Sequence, residues 1–385
     1  MPVEAMATAA GTTTMEITVS KSELLRELTA TQGVVQPKTT IPILSNYLFE
    51  ASGDKLSLTA TDLELSLRTS CKVKVVREGS CTVPARKLFD YVKLLRDADI
   101  TIKLLENHHI SIRCGRSHTR MVGMPRSNYP GVQPFPTSSI VKIPVPVLRT
   151  LIEKTGFAVA NEEARYTLNG ALLVLKPESI TMVATDGHRL SHIECSGTKF
   201  EGVFGEMRTL VSKKAMDELQ RLLVSPDTEE VEFAKDDAQL FFRLGTRLLT
   251  ARQLTGQFPN YEAVLPKETT KVVTVYGDEL SAAIARVAQF ADERSRALRL
   301  RLEKGELKLS ARSEDMGESE DSIETDYDGD ELAIGFNAQY LLDFLRAVGA
   351  GEVKLEFKDA QSAGQMRPAE GAEYKYRYIV MPMRI

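Results

Sequence analysis

The chain has 385 residues, 43% apolar and 26% charged, the balance of an ordinary soluble protein long enough for two or three cores. No apolar run approaches a membrane span. A formal charge of −4 argues at first against nucleic acid, and Cys71, Cys81, Cys114 and Cys195 lack the Cys-x-x-Cys spacing of a zinc site or redox pair. Four isolated thiols fit a reducing cytoplasm.

Residues 1–14, "MPVEAMATAAGTTT", are small and polar, which predicts a disordered extension and no secretory signal. Next come a strand at "MEITV" and a helix over 20–32, opened by a Ser20–Glu23 capping box. Strands follow near 46–51, 55–61 and 65–76, then "GSCTV", a helix over 84–96, and strands near 99–105, 109–114 and 117–124. Period-two stretches such as "ITIKLLE" and "ISIRC" predict half-buried antiparallel strands. Pro-rich breaks fall at 127–139 and 258–270.

The plan then repeats. "PARKLFDYVKLL", "VSKKAMDELQRLL" and "NAQYLLDFLRAV" align at Asp90, Asp217 and Asp343, and the opening helices align at Leu24, Leu148 and Leu280. Three units of roughly 125 residues, each with two helices and antiparallel strands, predict an α+β fold of three similar domains. Their expected bounds are 15–137, 138–266 and 267–385.

The helices predict a basic outer face. Leu88, Val92 and Leu95 form one apolar stripe and leave Arg86, Lys87, Lys93 and Arg96 outside. Met216, Leu219, Leu222 and Leu223 leave Lys213, Lys214 and Arg221 outside. A recurring basic face suits backbone-only contact with a polyanion. Residues 314–331 hold ten acids and no Lys or Arg, which predicts a solvated acidic loop; a calcium loop fits poorly, with Glu331 where Gly is needed.

One stretch is specific to the second copy. "TMVATDGHRLSH" (181–192) places Asp186, His188 and Arg189 together, whereas "LTATDLELSL" (58–67) keeps only the Thr-Asp. The shared Thr-Asp predicts a turn whose Asp bonds backbone amides. An acid/base centre is the competing reading, but there is no nucleophile elbow, phosphate loop or metal spacing to go with it.

From residue 15 onward the chain resembles the bacterial DNA polymerase III beta subunit, the sliding clamps. The resemblance rests on "TIPILSNYLFEA", "LTATDLELSL", "VPARKLFD", "RYTLNGALL", "VATDGHRLS", "FPNYEAVLP", "IGFNAQYLLDFL" and "YIVMPMRI". It implies a ring-shaped head-to-tail homodimer with helices lining the hole, sheets outside, no cofactor and no chemistry. It also implies a cytoplasmic protein that tethers polymerase to duplex DNA without reading sequence. The DNA contacts it implies are Arg26, Lys38, Lys213, Lys214, Arg221 and Arg252. Thr119 and Met121 would meet Gln289 and Phe290 of the other chain of the dimer.

A peptide-binding pocket is implied at Leu168, Thr185, Gly187, His188, Arg189, Leu190, Pro259, Val264, Tyr340, Ile379, Met381, Pro382, Met383 and Arg384. The polymerase III catalytic subunit, the clamp loader, other polymerases and repair proteins would insert short linear motifs there. Thr167 and Ala263 depart from the family pattern at the pocket's edge. An accessory or resistance paralogue is an alternative, and a hydrolase using Asp186 and His188 a remote one.

Overall fold

In the computed structural model, the described residues are 15–36, 39–160, 166–197, 199–224, 228–369 and 373–384; the predicted extension 1–14 and Lys38 lie outside them. The first copy runs β1 (Glu16–Ser20), α1 (Lys21–Thr31), β2 (Asn46–Ser52), β3 (Lys55–Thr61), β4 (Leu65–Lys72), β5 (Lys74–Arg77), β6 (Gly79–Pro84), α2 (Ala85–Leu94), β7 (Asp99–Leu104), β8 (His109–Cys114) and β9 (Ser117–Val122). The second runs β10 (Val141–Pro144), α3 (Val145–Thr155), β11 (Gly170–Lys176), β12 (Ser179–Thr185), β13 (Arg189–Ser196), β14 (Met207–Ser212), α4 (Lys213–Leu222), β15 (Glu230–Lys235), β16 (Gln239–Leu244) and β17 (Arg247–Arg252). The third runs β18 (Lys271–Tyr276), α5 (Gly277–Val287), β19 (Ala297–Glu303), β20 (Glu306–Ser313), β21 (Gly317–Glu324), β22 (Leu332–Asn337), α6 (Ala338–Val348), β23 (Glu352–Phe357), β24 (Gly364–Pro368) and β25 (Tyr374–Val380). The order is the same three times, with β5 an addition in the first copy.

The chain packs as two compact units, Met1–Ile140 with Val224–Arg252 and Val141–Leu223 with Gln253–Ile385. In the first unit one sheet runs β15-β16-β17-β4-β3-β2-β6 and another β5-β1-β7-β8-β9. In the second unit the sheets run β14-β11-β12-β13-β25-β24-β23-β18 and β21-β20-β19-β22. One rule joins copies inside each unit: the third strand after a copy's first helix pairs antiparallel with the last strand of the next copy. Thus β4 pairs β17, with Leu65 opposite Ala251. Likewise β13 pairs β25, with Arg189 opposite Val380.

Apolar spacing places the helices on the sheets. Leu24 and Leu28 of α1 are fully buried, worth about 2 kcal/mol each. Ser20 caps α1 by accepting from the Glu23 amide at 3.2 Å; the Glu23 carboxylate goes to Arg26 instead of completing the capping box. Glu27, also buried on α1, accepts from Thr69 of β4 and from Arg247 of β17 at 3.3 Å, so this helix is tied to both strands of the first joint. Burial alone would raise the Glu27 carboxyl; the bonds from Thr69, Arg26 and Arg247 outweigh it and hold it below the usual 4.5. A depressed folded pKa stabilises above the unfolded value and is lost as pH falls through the folded one. Thermal melts between about pH 5 and pH 3 should therefore fall more steeply for the unaltered chain than for Glu27→Gln; parallel curves would refute this role.

The acidic segment differs from the expected loop. Gly317–Glu324 forms β21, because Ile323 packs inward while Glu318, Glu320 and Glu324 face out. Lys213 and Lys214 are half-buried on α4, where the stripe alone had placed them outside.

Candidate functional site

The copy-specific stretch sits on a turn that both joints share. In the first, Leu63 N–H donates to Thr61 Oγ1, and the Glu64 and Leu65 amides donate to Asp62 Oδ1 at 3.0 and 2.8 Å. In the second, Gly187 N–H donates to Thr185 Oγ1, and the His188 and Arg189 amides donate to Asp186 Oδ1 at 3.0 Å. The third turn residue has φ 78° at Leu63 and 90° at Gly187. Glycine adopts that region freely, whereas leucine gives up about 1 kcal/mol there. Each turn then passes a carbonyl to the joining strand: Arg252 N–H donates to Glu64 O at 2.7 Å, and Met381 N–H to His188 O at 2.8 Å. The Asp is architectural in both copies. Asp186 accepts from these amides and from the Arg189 guanidinium.

The two joints share a frame and differ in chemistry. Strand pairing puts Thr185, Leu190 and Ile379 in one row and Leu210, Leu172 and Val183 in the next. The matching rows in the first joint are Thr61, Ser66, Thr250 and Thr82, Leu48, Thr59. Apolar side chains at Leu190, Ile379, Leu210 and Val183 therefore stand where the other joint has Ser66, Thr250, Thr82 and Thr59. The second joint accordingly gathers Leu172, Val174, Val183, Leu190, Leu210, Tyr261 and Ile379, with half-buried Leu254, Phe258, Val264, Leu265 and Ala363 against them. His192 extends this face 5.7 Å from the Tyr261 ring, and burial lowers its pKa, which favours an uncharged floor.

The terminal segment continues from β25 past the turn at His188. Beyond Met381, Met383 N–H donates to Gly335 O at 2.8 Å, which fixes the segment at two points. Met381 is 40% exposed, with Pro382 and Met383 half-buried. His188, Pro259 and Arg384 are exposed, and Leu168 is buried in the short turn before β11. A cavity of about 480 Å³ opens toward β14, lined by Leu172, Leu210, Leu254, Phe258 and Tyr261 among others. Of the residues expected from the sequence, Pro259 alone lines it. Strand register, had it been known, would have found Leu172 and Leu210.

Arg189 does not line the groove floor. Successive strand residues point to opposite faces, so Leu190 enters the apolar cluster and Arg189 the helix side of the sheet. There it meets Tyr340, whose ring centroid lies 4.4 Å from the guanidinium carbon.

The other expected contacts are dispersed. Arg26 is bound to Glu23 and Glu27, Arg221 to Glu218 at 2.9 Å, and Lys213 to the Gly156 carbonyl at 3.3 Å. The Arg252 side chain is exposed. Thr119 and Met121 are half-buried on β9, which ends its sheet. Gln289 and Phe290 are exposed on a short turn after α5 that packs against β21, which ends another. Among the described residues no acid, histidine and cysteine cluster could hold a metal, and no helix is long and apolar enough to cross a membrane.

Comparison with known proteins decides among the readings. The DNA polymerase III beta subunit N-terminal domain matches residues 15–133, its central domain 142–260 and its C-terminal domain 262–384. The chain belongs to the DNA polymerase III beta subunit family. It is 36% identical over 373 residues to the beta sliding clamp of Pseudomonas putida and 33% identical over 377 to that of Caulobacter vibrioides; each match covers 96% of this chain and 100% of the relative. Among solved structures, the Pseudomonas aeruginosa DnaN sliding clamp bound to griselimycin matches with a TM-score of 0.89 at 35% identity, covering 96% of this chain and 100% of that one. The Bartonella birtlesii clamp bound to griselimycin matches at 0.91 and 32%, covering 97% and 100%. The three domains are clamp domains, and membership makes the chain a non-catalytic processivity factor; the hydrolase reading of Asp186 and His188 falls.

Proposed function

We propose that two copies close head to tail around duplex DNA, slide without reading sequence, and hold replication and repair proteins through the groove at the second joint. The joining rule carries the dimer. Applied to the third copy, it asks β21 to pair with the last strand of a first copy, β9, and each ends its own sheet. Carrying over the registers of the other two joints sets Met121 opposite Gly317, Arg120 opposite Glu318 and His118 opposite Glu320. Arg120 then faces an acid and His118 a hydrogen-bond acceptor, which is the use we assign to the acidic segment. A head-to-tail contact of this kind makes a ring when the rotation closes.

The basic residues of the helices supply a register-free attraction for phosphates, which is what sliding needs. Neutralising Lys38, Lys213, Lys214 and Arg221 together should weaken DNA retention equally on every sequence and flatten its salt slope by roughly 0.9 per lost phosphate contact. Loss confined to particular sequences would point to a base-reading protein. The groove offers apolar anchors to short peptides, and flexible Met381 and Met383 suit a site with several partners. In the first joint Thr and Ser hold most of the matching row positions and Leu48 packs with Ile43, Leu44 and Tyr129, so we assign the peptide groove to the second joint. Titration of a labelled peptide copied from the clamp-binding end of the polymerase catalytic subunit tests this reading; no saturable binding would refute it.

A further inference from the structure

Arg189 spends its whole fork inside the protein. Nε donates to Asp186 Oδ2 at 3.0 Å, Nη1 to Asp343 Oδ2 at 2.6 Å and to the Tyr378 hydroxyl at 3.4 Å, and Nη2 to the Phe157 carbonyl at 2.6 Å. Its guanidinium carbon lies 4.4 Å from the Tyr340 ring centroid and 5.5 Å from that of Phe157. The side chain is 10% exposed and that of Asp343 13%. Asp343 is held in turn by Gln339 Nε2 at 2.8 Å and Arg346 at 3.3 Å. Four separate segments converge here: the turn after α3, the turn at Asp186, α6 and β25.

We infer that Arg189 and Asp343 form a buried tie that positions the two walls of the peptide groove without touching the peptide. The inference rests on the peptide-groove reading above. The turn that Arg189 braces is the one whose His188 carbonyl receives the Met381 amide. If the turn shifts, the Met381–Met383 wall and Leu190 shift with it. The tie belongs to this joint alone. Leu65 holds the matching place in the first joint, and Glu27 with Arg247 braces that joint instead. A planar guanidinium reaches four acceptors in fixed directions, which a lysine ammonium cannot copy.

The test uses the full-length dimer and the same labelled peptide. Asp343→Asn and Arg189→Lys are each expected to weaken peptide binding roughly tenfold. Their combination should be little weaker than either alone, because both break one tie. Hydrogen exchange gives a local readout: the Met381 amide should exchange faster in Asp343→Asn, while the Arg252 amide, which makes the matching bond in the first joint, keeps its rate. Asp343→Glu keeps the charge and should recover part of the affinity, and it carries the test if Asp343→Asn does not fold. Unchanged affinity and Met381 exchange in the variants, or losses that multiply in the double variant, would overturn the inference. Failure of the unaltered chain to bind the peptide would instead sink the groove reading itself.

Discussion

Deleting residues 381–385 is expected to abolish binding of the polymerase-derived peptide, by at least about a hundredfold, while the dimer survives. The proposal makes Met381, Pro382 and Met383 a wall of the groove, and covering one such methionine with a ligand is worth roughly 2 kcal/mol. The deletion also frees two acceptors, the carbonyls of His188 and Gly335. The floor of Leu172, Leu190, Leu210 and Ile379 stays, so residual weak binding of an apolar anchor is compatible with the account. The dimer contact is assigned to β9 and β21, away from these residues in the fold of each unit. Peptide titration beside size-exclusion checks both halves. Normal binding by the truncated chain would remove the groove assignment.

Reversing Glu318 and Glu320 to lysine should split the dimer. The proposed register sets position 318 opposite Arg120 and position 320 opposite His118, and the like charges then facing each other at 318 and 120 are unfavourable across a strand pair and at an interface. A ring has two such contacts, so the cost is paid twice per dimer. Arg120→Glu with His118→Glu, added to the reversed strand, should restore the dimer with the charges exchanged. Salt separates the cases further: it should weaken the unaltered dimer and strengthen the singly reversed one. Sedimentation equilibrium measures all of them. A reversed variant that remains dimeric, or a double reversal that fails to recover, would show that β9 and β21 do not meet in this register.

Local pattern carried much of the fold. The helices expected over 20–32 and 84–96 form over Lys21–Thr31 and Ala85–Leu94, and the leucine stripes point inward as their spacing requires. The Thr-Asp turn was legible because its bonds run between residues two and three apart. What the sequence hid was long-range. Arg189 meets Asp343 from a distant part of the chain, and nothing in "ATDGHR" shows that its arginine turns away from the groove. Glu27 reads as an ordinary exposed helix acid until β4 and β17 arrive around it. The acidic segment read as a loop because charge masked its alternation; within β21 only Ile323 packs firmly inward. Lys213 and Lys214 open α4 directly after β14, and Lys213 reaches back to the Gly156 carbonyl.

The central claim is that the protein holds DNA by enclosing it. The measurement that addresses this most directly is retention of the assembled dimer on a closed circular duplex, before and after the circle is cut once. At a salt concentration that suppresses ordinary electrostatic binding, the account predicts long-lived retention on the circle and rapid loss from the same DNA once linear. Equal retention on both forms, or retention that depends on the base sequence, would contradict it.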